Sequence, residues 1–492
     1  MHRSNHAVRF ILDDEVFTLP NPDPNRTLLQ FLREDICRTG TREGCAEGDC
    51  GACTVLLGAA CETGRIHYRS VNACLRFLPT VDGMSVVTVE SLSRTHEQLH
   101  PVQQAMVDAH ASQCGFCTPG FVMSLFDLYL NHPDAQRSDV IRAISGNLCR
   151  CTGYRPIIEA GCRMQQYPEP RRWSRADAES DARHEQMKAI ERHECLELIQ
   201  DKRFRSPRHL EELAGLYASD PEAVILAGGT DVGIGVNNQF KTLNSIIYIG
   251  EVRELQQIEK QEDGSLNIGA AVCMEDALSA LTEVYPSLKE LHQRFASPPI
   301  RHSATLAGNI ANGSPVGDSI PVLLALGASL WLNRDSQRRL MALGDFYHGY
   351  HQTTLEKGEF IEAVHIPASE SCAMVAAYKV SKRTAQDISA VCCGFRVVLD
   401  SNRHIGTVRL AYGGLAAFPK RARTMEATLD SMPWSLDAIK RASAMLEQDF
   451  TPMTDMRATS DYRLVVARNL LMRFFLEHSH MHVPVRLPIM TT

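Results

Sequence analysis

The sequence lacks what would place it in a membrane, export it or bind it to nucleic acid. No window of its 492 residues reaches 18 uninterrupted apolar side chains, the run that marks a membrane-spanning helix. Met1 to Asn5 are polar and lead into an alternating segment, without the continuous apolar core of a secretory signal. Positive charge is not in excess: 51 Lys and Arg stand against 58 Asp and Glu, a formal net charge of -7, and no long basic block occurs. None of the 19 histidines has a spacing that marks a metal site or a general base, so no catalytic residue is singled out. The resulting expectation is a cytoplasmic protein with neither a nucleic-acid nor a membrane partner.

Length excludes a single ordinary core and points to two to four domains. Hydrophobic content of 44% and charged content of 22% are those of a globular protein. Of 16 cysteines, eleven lie between Cys37 and Cys162, and in a long chain without an export signal metal ligation is favoured over disulfides. The metal chemistry is therefore expected near the N-terminus.

Val8, Phe10 and Leu12 alternate with Arg9, Ile11 and Asp13, and a short apolar pattern resumes after Asp13-Asp14, which reads as a hairpin. Thr27 to Arg33 reads as a helix capped by Thr27. Next come Cys45, Cys50 and Cys53, a C-x4-C-x2-C set with the spacing of a plant-type [2Fe–2S] loop, and Cys74 as a distant fourth thiolate after the strand Thr54 to Leu57. Glycines 44, 48 and 51 let the backbone wrap an anionic cluster. Four thiolates also suit structural zinc, but the four-residue gap favours iron and sulfur. Cys37 and Cys61 fit neither spacing.

The period then changes to near 3.6. Thr118 and Pro119 read as cap and first residue of a helix whose buried face is Val122, Leu125, Phe126 and Tyr129. Ser138 is expected to cap a second helix that Gly146 ends, and Pro156 to open a third. Cys114 and Cys117 form a C-x2-C pair at one helix end, and Cys149 and Cys151 a C-x-C pair at another. Helix termini present free N–H groups that favour thiolates.

Three runs carry a resemblance: Gly-Cys-Ala-Glu-Gly-Asp-Cys-Gly-Ala-Cys at 44 to 53, Gln-Cys-Gly-Phe-Cys-Thr-Pro-Gly at 113 to 120, and Gly-Asn-Leu-Cys-Arg-Cys-Thr-Gly-Tyr at 146 to 154. Together they closely resemble the xanthine dehydrogenase and aldehyde oxidase family of molybdenum hydroxylases. The resemblance implies a multidomain α+β chain. Residues 1–82 would be a β-grasp [2Fe–2S] ferredoxin domain and 83–165 a four-helix [2Fe–2S] domain. It also implies that the position of Gln113 contacts a molybdopterin cofactor.

Residues 166–195, rich in Arg, Glu, Asp and Pro, read as an exposed linker, partly helical near Met187, whose alternating charges face solvent. Val224 to Ala227 then reads as a buried strand running into Gly228-Gly229, a close-approach turn without the G-x-G-x-x-G of a Rossmann domain. A second stretch, 295 to 318, is dense in small and polar residues whose burial calls for ligand or backbone partners.

Leu-Ala-Gly-Gly-Thr-Asp at 226 to 231 and the run from Ile300 to Asp318 resemble the FAD-binding motifs of the same family. That similarity places Ile225, Leu226, Ala227, Gly228, Gly229, Thr230, Asp231 and Val232 around the pyrophosphate and ribityl chain. It adds Phe295, Thr305, Leu306, Ala307, Gly308, Asn309, Asp318 and Lys379 as flavin-nucleotide contacts. Ala307 stands where the family commonly has glycine. Residues 196–368 would be a two-subdomain α+β FAD-binding domain and 369–492 a C-terminal α+β flavoprotein domain, with the loop from Ser381 to Ser389 beside the flavin and an NAD site.

By the same resemblance the chain is an electron conduit, with order molybdenum, second cluster, first cluster, FAD, NAD. It ends at Thr492, shortly after the flavin region, whereas single-chain members continue into a molybdopterin domain. The expectation is the small subunit of an NAD-dependent xanthine dehydrogenase, in a heterotetramer or similar hetero-oligomer with a molybdopterin-binding large subunit. Its cofactors would be two [2Fe–2S] clusters and FAD. The rivals are the equivalent subunit of a hydroxylase for aldehydes or N-heterocycles, a stand-alone iron–sulfur flavin reductase, and a zinc-binding scaffold.

Overall fold

The computed structural model describes residues 6–61, 64–93, 99–170, 172–174, 181–335 and 337–479. Two compact units emerge. The first comprises Met1–Glu254, Cys273–Glu275 and Ala296–Thr305; the second comprises Leu255–Val272, Asp276–Phe295 and Leu306–Thr492. Among the described residues no helix is long and apolar enough to cross a membrane.

In the first unit, β1 (Ala7–Leu12) pairs antiparallel with β2 (Glu15–Pro20), with Leu12 opposite Glu15. That register leaves Asp13 and Asp14 as a two-residue turn, both at positive φ (56° and 67°), as a type I′ hairpin demands. Helix α1 (Leu28–Gln30) opens on a reciprocal cap: the Gln30 N–H donates to Thr27 Oγ1 and the Thr27 N–H to Gln30 Oε1. It continues as a wider turn over Phe31–Asp35. With β3 (Thr54–Ala60), β4 (Ile66–Asn72) and β5 (Ser85–Val87) the strands form a mixed sheet of order β2-β1-β5-β3-β4. Val8, Phe10 and Leu12 enter one core with Leu28, Phe31 and Val55. Ile11, on the opposite face, enters the core of the following helices. Burial of β1 on both faces is why its apolar alternation is imperfect.

Those helices are α2 (Pro101–Asp108), α3 (Thr118–Asn131), α4 (Arg137–Ala143) and α5 (Arg155–Arg163). The face Val122, Leu125, Phe126 and Tyr129 is buried as the period requires. Two caps differ from expectation. Thr118 already lies inside α3, behind Cys117, and its Oγ1 bonds Ser112 Oγ instead. Ser138 lies inside α4, because Gln136 and Asp139 complete a capping box that starts two residues earlier.

The linker corrects the sequence reading more thoroughly. It is not a solvated connector: Trp173, Met187 and Ile190 are buried in the helical core, and α6 (Asp181–Ile190) packs on β1. Arg183 lies 4.0 Å over the Trp173 ring and bonds Asp14 at 2.9 Å, and Arg172 pairs with the same carboxylate. Arg192 bonds Asp82 at 2.8 Å, both side chains under 5% exposed, and donates to the Ala7 carbonyl.

After the linker, β6 (Leu196–Ile199), β7 (Arg203–Ser206), α7 (Leu210–Ser219), β8 (Val224–Leu226), α8 (Thr230–Gln239) and β9 (Ser245–Tyr248) give a sheet of order β6-β7-β9-β8, with β7, β9 and β8 parallel. The second unit holds a five-stranded antiparallel sheet, order β10-β11-β16-β12-β13, from β10 (Ile258–Lys260), β11 (Leu266–Gly269), β12 (Ser329–Arg334), β13 (Gln337–Ala342) and β16 (Phe360–Ile366). A hairpin of β14 (Tyr347–Gly349) and β15 (Gln352–Thr353) lies between β13 and β16 in the chain. A second antiparallel sheet orders β17 (Met374–Val380), β18 (Val391–Leu399), β19 (Ile405–Gly413) and β20 (Lys420–Arg421) consecutively. The long helix Ser460–Glu477 packs on this sheet through Phe474, against Phe395.

Asp82→Ala would leave the Arg192 guanidinium buried without its counter-charge. Loss of about 3–5 kcal/mol is expected, measured as a lower urea midpoint for the first unit; an unchanged midpoint would show that the linker is not held by this pair.

Candidate functional site

Two thiol quartets form in the first unit. Cys45, Cys50 and Cys53 stand on the loop before β3, and Cys74 on the turn after β4. Cys53 and Cys74 are buried with their Sγ atoms 3.3 Å apart, and Cys45 bonds Cys50. The Cys45 sulfur also accepts the N–H groups of Cys50 (3.3 Å) and Glu47 (3.5 Å), so the glycine-rich loop turns its amides toward sulfur as expected. The second quartet pairs Cys114 with Cys151 and Cys117 with Cys149. Thr152 donates to Cys149 Sγ from both its N–H and its hydroxyl, at 3.4 and 3.1 Å. Among the described residues no three His, Cys, Asp or Glu side chains converge on one metal ion. Thiols that meet two by two fit a two-iron cluster, in which each iron takes two protein ligands.

The same pairing polarises the thiols. The hydrogen bond from Cys50 and then the loop amides draw the Cys45 thiol down to about 5, while Cys50, which keeps the proton, is raised. Cys53 is lowered by its bond from Cys74, and Cys74 is raised in return. In the second quartet the Phe116 amide and then Cys151 lower Cys114, and the bond to Cys114 raises Cys151. Burial opposes ionisation of Cys149, but the Thr152 bonds outweigh it; burial pushes Cys117 up to about 12. Within each pair one thiol is thus made more acidic than its partner.

The quartets are joined by backbone. The N–H of Leu148, next to Cys149, donates to the Cys50 carbonyl at 3.0 Å. The Asn147 amide donates to the Gly51 carbonyl at 3.0 Å and accepts from Ser124 at 2.7 Å. Asn147 lies inside a quoted motif, but nothing in its spacing pairs it with residue 51. The quartets differ in exposure: Gln113, Cys114, Phe116, Leu148 and Cys151 all reach the surface, whereas Cys53 and Cys74 do not.

The expected flavin residues fall in both units. In the first, Ile225 to Val232 run from β8 through the turn into α8, whose N-cap is Gly229 at φ 75° with no side-chain cap. The N-cap residue thus brings no side chain over the first turn of α8, the end of a helix that favours an anion such as a diphosphate. A Cβ on Gly228 would lie 1.8 Å from the Ser303 carbonyl oxygen, so the two glycine-rich segments touch there backbone to backbone. Thr305 is buried and bridges Cys273. Helix α8 also reaches the first quartet: Asn237 donates to the carbonyls of Ala46 (2.8 Å) and Cys74 (2.7 Å), a link the sequence did not reveal.

In the second unit, Asp318 and Lys379 form a buried pair at 2.5 Å, and Ser389, at the end of the charged loop, donates to the other Asp318 oxygen at 2.6 Å. Asn309 accepts from Ser319 at 2.6 Å. Leu306, Ala307, Gly308 and Asn309 are helical, so Ala307 occupies a conformation any residue adopts. Phe295 is buried at the end of the helix Lys289–Arg294.

Four family models match the chain. They are a 2Fe-2S iron–sulfur cluster binding domain over residues 10–76, a [2Fe-2S] binding domain over 88–162, an FAD binding domain in molybdopterin dehydrogenase over 200–369, and a CO dehydrogenase flavoprotein C-terminal domain over 376–478. Xanthine dehydrogenase of Emericella nidulans is 31% identical across 95% of this chain, and xanthine dehydrogenase/oxidase of Gallus gallus 29% identical across 92%. The chain spans 38% of the length of each. Among solved structures, carbon monoxide dehydrogenase from Hydrogenophaga pseudoflava, lacking the Mo-pyranopterin moiety, matches with TM-score 0.52 and 25% identity over 55% of this chain and 94% of its own. Quinoline 2-oxidoreductase from Pseudomonas putida 86, at 22% identity, shares the fold (TM-score 0.51) over 56% and 95%.

Cys50→Ser is expected to remove one iron–sulfur signal from the electron paramagnetic resonance spectrum while flavin stays bound; two intact signals would refute its role as ligand. Gly228→Ala is expected to cut flavin content several-fold, because its methyl group cannot coexist with the Ser303 carbonyl, and to spare both iron–sulfur signals. Full flavin content in that variant would mean that the cradle is elsewhere.

Proposed function

We infer that the chain carries the iron–sulfur and FAD electron-transfer modules of the molybdenum hydroxylase family. From that premise we propose that it conducts electrons from purine hydroxylation, of hypoxanthine or xanthine, to NAD. The purine is oxidised at a molybdopterin centre on a partner polypeptide, and the route runs through two [2Fe–2S] clusters and FAD. The observation that carries the reading is the linkage of the two thiol quartets by the Leu148 and Asn147 hydrogen bonds, with α8 bonded to the first quartet through Asn237.

Cys45, Cys50, Cys53 and Cys74 hold one cluster and Cys114, Cys117, Cys149 and Cys151 the other. Ile225 to Val232 and Thr305, with Phe295, Leu306 to Asn309, Asp318 and Lys379, hold the FAD. When bound, the clusters supply single-electron carriers, and the flavin supplies a two-electron centre able to deliver a hydride. The residues supply position and electrostatics: amides aimed at Cys45 and Cys149 stabilise thiolate charge, and the N-terminus of α8 holds the diphosphate. The exposed edge of Gln113, Phe116 and Leu148 faces the partner. Support for a purine substrate comes from the xanthine dehydrogenase matches, which run through both the iron–sulfur and flavin modules, 95% of the chain against 55% for the carbon monoxide dehydrogenase.

Affinity purification of the chain from its native source, with metal, flavin and pterin analysis, is expected to yield a cytoplasmic hetero-oligomer with iron, FAD and a molybdenum- and pterin-bearing partner. Its NAD reduction should depend on xanthine. Activity with an aldehyde alone would reassign the substrate, and a chain that reduces acceptors without any partner would overturn the proposal. Leu148→Glu is expected to weaken recovery of the partner at least tenfold while both iron–sulfur signals persist.

A further inference from the structure

One cation stands between the two quartets. Arg42 lies three residues before Cys45, and its backbone N–H donates to the Ala52 carbonyl at 3.1 Å, which pins it within the first ligand loop. Its side chain leaves that loop and crosses to the other. Nη1 donates to the Gly115 carbonyl at 2.9 Å, and Gly115 lies between Cys114 and Cys117 at φ 81°. The guanidinium lies 5.5 Å from the centre of the Phe116 ring. The edge of that ring is 3.5 Å from where a Cβ on Gly44 would be, so the ring that the guanidinium meets also borders the first ligand loop.

Two features separate this residue from an ordinary clamp. The first ligand loop is already bonded to the segment before Cys149, by Leu148 to Cys50 and Asn147 to Gly51, and meets the first turn of α3 at Gly120, so docking of the two quartets does not rest on Arg42 alone. Arg42 also makes no ion pair with a carboxylate among the described residues. Its charge is not neutralised locally and is left to act on the sulfur groups on either side.

We propose that Arg42 is a positioning residue shared by both clusters, orienting the Cys114–Cys117 loop while its charge favours the reduced form of each. The proposal rests on the assignment of the two quartets as cluster ligands. An added electron makes a four-thiolate cluster more negative, and a fixed cation nearby stabilises that state and raises the reduction potential. The hydrogen bond to Gly115 places the guanidinium on the second loop, so the second cluster feels it more strongly and the potential difference between the two depends on it.

Redox titration of the full chain, followed by electron paramagnetic resonance, tests this on the wild type, Arg42→Gln and Arg42→Lys. The expected result is a downward shift of both midpoint potentials in Arg42→Gln, larger for the second cluster, with iron and flavin content unchanged. Arg42→Lys, which keeps the charge and loses the fork and the ring contact, should stay near the wild type. Unchanged potentials in Arg42→Gln would overturn the proposal. So would equal shifts in the two variants, the mark of a merely structural role. If Arg42→Gln loses iron, Arg42→Lys decides alone: wild-type potentials support the proposal and shifted ones overturn it. Absence of iron–sulfur signals from the wild type would instead dispose of the cluster assignment.

Discussion

The carbonyl of Gly51 is the point on which the iron–sulfur half of the molecule turns. It accepts from the Thr54 N–H, the Thr54 hydroxyl and the Asn147 amide, at 3.2, 2.7 and 3.0 Å. A Cβ on Gly120, in the first turn of α3, would lie 2.2 Å from it. Contact this close between a ligand loop and a helix backbone is open only where the side chain is a hydrogen. The loop that bears Cys50 and Cys53 is thereby set against the helix that follows Cys117, with Asn147 bridging them from the segment before Cys149. The relative placement of the quartets rests chiefly on backbone groups and the short Asn147 amide, which have few conformations to lose.

A second constraint is buried charge. Asp82 sits beneath Arg192 at 2.8 Å, with Arg208 3.7 Å away, and Arg208 in turn pairs with Glu251 at 2.6 Å. These residues come from the turn before β5, the linker and the segments that follow β7 and β9. A network of this kind stabilises little compared with apolar packing of the same volume, but it penalises any arrangement that separates its members. Arg183 and Arg172 on Asp14 add a second such anchor for the described part of the linker.

Residues bound by local geometry were legible in the sequence. The cysteine spacings, the Thr27 cap, the Asp13-Asp14 turn and the buried face of α3 each depend on neighbours within a few positions. What was not legible depends on partners far along the chain. Arg42 and Gly115, Asn147 and Gly51, and Asn237 and Cys74 are separated by 73, 96 and 163 positions. The linker was misread for the same reason: its arginines carry no mark of the aspartates and the tryptophan that bury them. Ser138 lost its capping role to Gln136 because a reciprocal box satisfies two backbone groups where a lone serine satisfies one.

The unequal exposure of the quartets also sets how the protein ages. Cys53 and Cys74 lie under apolar side chains, while Cys114 and Cys151 meet solvent at the edge of α3. Thiolates open to water are the ones that dioxygen and peroxide convert to sulfenic and then irreversible sulfinic acids. Cys114 and Cys151 are therefore the thiols of the two quartets that such oxidation would reach first. A polypeptide seated on that edge would act as a chemical shield as well as a neighbour.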